Sequence, residues 1–291
     1  MRRRSVLFVG GDIRQIYCAE FLSKCGLEVS VFGFDKAGSR AAELVNFSSL
    51  KVVLSLADFI VLPLPFSFDD IYLNLPYCSE KIEVRDFVKN IDSSQIVLYG
   101  KGSTRFEKML EESSIKHFDY FKDEVLTLKN AAYTAESALQ IAAENSERSF
   151  YDSEVLITGY GRIGEYLASL LKAYNAKVTV AVRREEIKQR ARLHGLNAID
   201  IEKIGNTAQK YDFVFNTVDK QIFDFSVLKN MNEDVLLIDL ASKSGFDSVT
   251  ANNIGLKLIT ARGLPGKLLP CSSGFAQAQV ILRLIEENRH G

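Results

Sequence analysis

Short apolar runs alternate along the chain with longer stretches whose apolar positions recur at helical spacing, and the alternation runs through two cycles. In the first, the runs Ser5–Val9, Glu28–Phe32, Asp58–Leu62 and Gln95–Tyr99 predict strands. Helical patterns cover Ile13–Cys25 and Arg105–Glu112, and a short strand is expected at Ile115–Phe118. Pro63, Pro65 and Pro76 mark a loop at the carboxyl end of the Asp58–Leu62 strand. A long helix is expected over Tyr133–Asn145, with Ala135, Ala138, Leu139, Ala142 and Ala143 on one small-residue face, bridging two domains. The second cycle predicts strands at Glu154–Thr158, Lys177–Val182, Asp212–Asn216, Val235–Leu240 and Lys257–Thr260. Helices are expected at Ile163–Tyr174 and Glu185–Leu193. A last helix, Phe275–Asn288, carries Val280 and Leu284 at helical spacing and is expected to pack back near the junction. Alternating strands and helices imply parallel sheets covered on both faces. The fold class is therefore α/β, with two doubly wound parallel sheets. The expected division is 1–132 for a first domain, 133–150 for the connecting helix, 151–272 for a second domain and 273–291 for the terminal helix.

Composition narrows the class. A chain of 291 residues with 47% hydrophobic and 25% charged residues can bury a core in each half. Its formal net charge of −1 argues against nucleic-acid binding. Arg2, Arg3 and Arg4 form a basic run read as a solvated start, and the apolar stretch Val6–Val9 behind them is too short for a signal-peptide core. Cys18, Cys25, Cys78 and Cys271 show no metal-site spacing with one another or with His117, His194 and His290. Cys18 and Cys25 are expected on a shared core-facing stripe as reduced thiols, and no metal is expected.

The sharpest signal follows the Glu154–Thr158 strand. There the chain reads GYGRIG, with Gly159, Gly161 and Gly164, and opens a helix that leads to another strand. This is the context a dinucleotide-binding fingerprint requires. Gly159 would make the tight turn, Gly161 would let the pyrophosphate approach the backbone, and Gly164 would let helix and strand pack closely. Tyr160, Arg162 and Ile163 complete the loop and its helix start, where N–H groups favour an anion. Sites that prefer NAD place an acidic residue at the end of the next strand, about 20 residues on. Here that position is Val182, followed by Arg183 and Arg184, which can pair with a 2′-phosphate. The expected cofactor is NADP, with NAD as second choice, although Glu185 and Glu186 could compete for the arginines. Further cofactor contacts are expected at the ends of later strands. These are Asn216, Thr217 and Val218, then Asp239, Leu240 and Ala241, then Gly263 and Pro265 in a rigid loop with Gly266.

Motifs along almost the whole chain resemble the A subunits of dipicolinate synthases. They include the opening VLFVGGDIRQ, NAAYTAESALQIAAEN, the GYGRIG loop with its trailing arginines, IDLASKSG and GLPGKLLPCSSG. The second domain taken alone resembles a broader class of D-2-hydroxyacid and alanine dehydrogenase domains, so the first half narrows the family. The pattern is broken near Thr134 and Ser137, which lack a neighbouring proline and glycine, and at Ser244 in place of proline. The resemblance implies two Rossmann-like domains, an oxidoreductase converting a cyclic tetrahydrodipicolinate to dipicolinic acid, and the mother-cell cytoplasm of a sporulating bacterium. The partner it implies is a flavoprotein-like B subunit, while a homo-oligomer is left open.

A dicarboxylate substrate needs cations or N–H donors. The candidates are Arg14, Lys101 with Ser103 and Thr104, Asn130 and Thr134, and Arg262, expected around a cleft between domains. Ser242 and Lys243 are the candidates at the reacting centre. No histidine falls at a strand end of the second domain, and His194, beside Gly195, is read as a capping or surface residue. An oxidation driven by product aromaticity asks mainly for orientation of the substrate against the cofactor. Two alternatives stay open: an NADP-linked dehydrogenase of another small oxo or imino acid, and a non-catalytic nucleotide-binding scaffold for a flavoprotein.

Overall fold

The computed structural model describes residues 4–38, 45–47, 50 and 54–288. It divides into two compact units, residues 1–129 with 269–291, and residues 130–268. Arg2, Arg3 and His290 lie outside the described residues.

The first unit holds β1 (Ser5–Val9), α1 (Ile13–Lys24), β2 (Glu28–Phe32), β3 (Val45–Phe47), β4 (Phe59–Val61), α2 (Val84–Lys89), β5 (Ile96–Tyr99), α3 (Thr104–Glu112) and β6 (Lys116–Asp119). The long helix α4 (Glu124–Glu144) begins in this unit and continues into the second. All strand pairs of the sheet are parallel, in the order β3-β2-β1-β4-β5-β6. The strand order reverses beside β1, where a doubly wound sheet opens a crevice at its carboxyl ends. Strands β1, β4 and β5 are apolar almost throughout because both faces are covered. Arg4 is not simply solvated. Its guanidinium donates to the carbonyls of Ile285 and Asn288 and lies 5.5 Å from the Phe59 ring.

The second unit holds β7 (Glu154–Thr158), α5 (Arg162–Ala173), β8 (Lys177–Val182), α6 (Glu185–Leu193), β9 (Asn197–Asp200), β10 (Phe213–Asn216), α7 (Phe225–Leu228), β11 (Leu236–Asp239), α8 (Ser248–Asn253), β12 (Lys257–Thr260) and α9 (Leu264–Leu268). Its order, β12-β11-β10-β7-β8-β9, is the same winding, again all parallel. Alternation along each strand feeds two separate cores. Val155, Ile157, Phe213 and Phe215 join the cluster that includes Leu167 and Leu171 of α5. Leu156, Val214 and Leu237 point the other way, into the cluster with Tyr211, Phe223 and Phe246.

Several expectations shift. The long helix begins at Glu124 rather than Tyr133, because Asp123 accepts the Leu126 amide ahead of the alanine-rich stretch. The terminal helix α10 (Pro270–Glu287) starts earlier than Phe275, with Pro270 in its first turn, and packs on α1. The close approach occurs at Gly274, where a Cβ would stand 2.6 Å from the Arg14 carbonyl oxygen. Cys18 is buried, and burial pushes its thiol pKa well above the usual range, but Cys25 is the exposed C-cap of α1. The expected shared stripe is therefore not formed. The segment at Gly263, Pro265 and Gly266 is not simply a loop, since Leu264–Leu268 is a short helix.

Candidate functional site

Both sheets start with a strand, a glycine turn and a helix, so two places compete for a pyrophosphate. In the first unit the place is taken. Gly10 and Gly11 have φ of 66° and 99°, and a Cβ on Gly10 would sit 1.9 Å from Leu75 Cδ2. The α1 N-cap is Asp12, whose carboxylate accepts the Arg14 amide at 3.0 Å and so occupies the positive helix end. Arg14 wraps back on it. Its Nε lies 2.8 Å and 3.0 Å from the two Asp12 oxygens, and its NH2 donates to Asp12 at 2.7 Å and to the Leu64 carbonyl at 2.6 Å. The Arg14 side chain is only 10% exposed. Its fork braces the turn.

The turn in the second unit is open. Gly159 adopts φ 88° and donates its N–H to the Ala181 carbonyl, and a Cβ there would meet Thr217 Oγ1 at 2.5 Å. A Cβ on Gly164 would stand 2.4 Å from the Gly159 carbonyl oxygen, so helix and strand touch through that missing methyl. At Gly161 the same construction meets nothing within 4 Å. Gly161 caps α5 without any side-chain hydrogen bond, leaving the helix end to an external anion. The residues therefore fit a dinucleotide, with space at the one glycine whose role is to admit the ligand.

The loop is anchored from below. Tyr160 is 5% exposed, and its hydroxyl lies 2.8 Å from His194 Nδ1. Arg190 donates to the Tyr160 carbonyl at 2.8 Å, lies 5.2 Å from the centre of its ring, and pairs with Glu165 at 3.2 Å. His194 does close helix α6 as its C-cap, as expected, but its ring also serves the fingerprint loop, a contact sequence reasoning missed. Arg162 is exposed on the first turn of α5, while Ile163 packs against the core.

At the end of β8, Val182 is buried and Arg183 and Arg184 are exposed. Arg184 Nε lies 3.4 Å from Glu186, both well exposed, a pairing that contributes little. Glu185 turns to its own helix. Lys188 reaches it at 2.8 Å, Gln189 at 2.9 Å and Arg192 at 3.2 Å, and the Lys188 and Gln189 hydrogen bonds hold its carboxyl down at about 2.

The expected contacts at the later strand ends separate into scaffold and surface. Asn216 and Asp239 are fully buried. Asn216 accepts from Thr158 Oγ1 at 2.6 Å and donates to Asp239 at 2.7 Å and to the Val218 carbonyl at 3.1 Å. Asp239 also accepts from Ser244 Oγ at 2.8 Å and from the Gly245 amide at 3.2 Å. What this network presents is Thr217 and Val218, which stand against the turn at Gly159. Leu240 and Ala241 are buried, and Pro265 is buried within α9. Gly263 is exposed with φ 66°.

Ser242 and Lys243 are exposed after β11 and share one anchor, Asp219. Its carboxylate accepts the Ser242 hydroxyl at 2.8 Å and the Lys243 amide at 3.1 Å. Asp219 was missed, although its place directly behind Asn216, Thr217 and Val218 was a usable signal. Arg262 Nε donates to the Ala241 carbonyl at 3.1 Å and ties the loops after β11 and β12 together. Thr134 Oγ1 donates to the Asn130 backbone carbonyl within α4. In the first unit Lys101 is exposed with φ 58°, on a loop whose amides at Lys101 and Gly102 donate to Asp119. Ser103 is the N-cap of α3, accepting the Phe106 amide, and Thr104 is that helix's first residue.

Among the described residues no group of three His, Cys, Asp or Glu could hold a metal ion. Among them too, no helix is long and apolar enough to cross a membrane. Fold and turn together define a two-domain α/β oxidoreductase fold whose second domain is of the NAD(P)-binding dehydrogenase type. Residues 117–247 match the family of the D-isomer specific 2-hydroxyacid dehydrogenase NAD-binding domain, and residues 5–121 match the N-terminal domain of the dipicolinate synthase A subunit. The expected family resemblance thus holds. The chain is 24% identical over 284 residues to the dipicolinate synthase A subunit of Bacillus subtilis (strain 168), covering 97% of this chain and 96% of that one. It shares the fold of the crystal structure of the dipicolinate synthase A subunit from Bacillus halodurans, with TM-score 0.85, 24% identity and 97% coverage of each chain. A transhydrogenase from Sinorhizobium meliloti has the same fold at TM-score 0.69 and 14% identity, covering 97% of this chain and 93% of its own.

Proposed function

We propose that this chain is the nucleotide-binding, oxidising component of a dipicolinate-forming enzyme, with a cyclic tetrahydrodipicolinate as substrate and NADP as acceptor. In this reading it works with a flavoprotein-like B subunit in the mother-cell cytoplasm of a sporulating bacterium. The observation that carries the reading is the similarity to the dipicolinate synthase A subunit over 97% of the chain, joined to an open fingerprint turn at Gly161.

Starting from a tetrahydrodipicolinate that carries a ring hydroxyl, the change to product removes that hydroxyl as water and, separately, one hydride and one proton. A bound nicotinamide would supply the hydride acceptor. The chain's own part is to bind and orient. Gly159, Gly161 and the start of α5 hold the pyrophosphate, and Thr217 and Val218 line the turn. Lys243 and Arg262, both exposed near the carboxyl ends of their strands, offer cations to a dicarboxylate, and Asp219 fixes the backbone that carries Ser242 and Lys243. Aromaticity of the product supplies driving force, so a strong base is not demanded of these residues.

The decisive assay supplies aspartate semialdehyde, pyruvate and the preceding synthase, then follows the ultraviolet absorbance of the aromatic product. With NADP and both subunits, product is expected well above the spontaneous background. A rate no better than background would overturn the assignment, and full activity from this chain alone would reduce its B partner to an accessory.

NADP preference rests on Val182, Arg183 and Arg184. A charge-assisted hydrogen bond contributes about 1.5–3 kcal/mol. Replacing both arginines with alanine is therefore expected to weaken NADP binding by about tenfold or more, with NAD little changed. Calorimetric titration of both nucleotides checks this, and equal affinities in the unaltered protein would remove the preference.

A further inference from the structure

The sequence at the end of β8 carries contradictory instructions. Arg183 and Arg184 suit a 2′-phosphate, yet Glu185 follows at once, and a carboxylate near this strand end is what an NAD site uses to bind the 2′-hydroxyl and repel the phosphate. The structure resolves the conflict through Lys188, whose side chain is only 12% exposed. Its ammonium lies 2.8 Å from Glu185 Oε2 and 3.3 Å from Asp200 Oδ2. Gln189 and Arg192 take the other oxygen of Glu185. Asp200 ends β9 in register with Val182, and its other oxygen accepts the Glu202 amide. Two carboxylates beside the end of β8 thus share one sheltered cation.

We propose that Lys188 is a specificity-determining positioning residue: by neutralising Glu185 and Asp200 and turning Glu185 toward its own helix, it leaves Arg183 and Arg184 available to a 2′-phosphate. The proposal rests on the reading that the 2′ position of the nucleotide lies at the end of β8. Lys188 itself touches no nucleotide; it acts through Glu185.

The test is the ratio of NADP to NAD affinity, measured by calorimetry on the full chain, with 2′,5′-ADP and 5′-AMP as minimal probes. Lys188→Met is expected to lower the ratio about threefold to tenfold, through weaker binding of the 2′-phosphorylated nucleotides, an effect on the scale of one or two exposed charge interactions. Adding Glu185→Gln to Lys188→Met should restore most of the ratio, and Glu185→Gln alone should leave it at or above the starting value. Lys188→Gln removes the charge while keeping an amide donor on a chain one atom shorter, so it reports the same shift should the methionine variant not fold. A ratio unmoved by loss of the Lys188 charge overturns the proposal. So does a fall that Glu185→Gln fails to rescue, which would place Lys188 on the phosphate itself. An unaltered protein with no preference would end the NADP reading, while the change of ratio between variants still decides the role of Lys188.

Discussion

Gly161→Ala is expected to lose about tenfold to a hundredfold in dinucleotide affinity while the empty protein melts where the unaltered one does. The loss corresponds to forcing a methyl group into a packed contact, about 1–3 kcal/mol. Nothing among the described residues resists that methyl. The backbone at Gly161 is extended, with φ −90°, and its Cβ direction is vacant to 4 Å. The only occupant it can displace is a ligand. Gly164→Ala is the informative contrast. There the new methyl would lie 2.4 Å from the Gly159 carbonyl oxygen, so α5 must move off β7 and stability must fall with binding. Calorimetry for affinity and a thermal melt for stability separate the two. If Gly161→Ala binds NADP and NAD with unaltered affinity, the pyrophosphate does not approach this turn and the site has been misplaced.

Much of this architecture was legible in the chain because both sheets are buried on both faces. Strands such as Glu154–Thr158 and Lys177–Val182 then read as mostly apolar runs, and their bounds matched. What escaped had weaker signals. β3 is only three residues long, and β9 reads Asn-Ala-Ile-Asp, with too little apolar content to stand out. The fingerprint turn was legible because glycine spacing encodes local geometry. The fate of the polar residues around it was not, since sequence position does not tell a buried bracket from a surface contact. Asn216 and Asp239 sit at strand ends, where a ligand contact is expected, yet partners far away in sequence turn them inward. Arg14 shows the same inward pairing at shorter range. An arginine after a glycine turn suggests an anion site, but Asp12, two residues earlier, had already supplied the anion.

Asp239→Ala is expected to destabilise the second domain by about 3–5 kcal/mol, because it leaves several neutral donors, most of them buried, without their acceptor. Four groups lose an acceptor: Asn216 Nδ2, Ser244 Oγ and the amides of Gly245 and Ala241. Asn216 and Gly245 cannot compensate by moving apart to admit water easily. A Cβ on Gly245 would stand only 2.2 Å from Asn216 Nδ2, so the two are packed face to face. For a unit of this size the loss translates to a fall of about 10 °C or more in its melting temperature. Nucleotide affinity should fall as well, although Asp239 is fully buried. The reason lies in Asn216, which fixes the Val218 amide at 3.1 Å and so sets the loop that stands against Gly159. Asp239→Asn should fall between the two proteins, since it keeps one acceptor oxygen and the packing volume. A thermal melt of the three proteins, followed by NADP titration well below the lowest transition, gives both readings. An alanine variant that melts with the unaltered protein would show that the network is dispensable and that Thr217 and Val218 are held by other means.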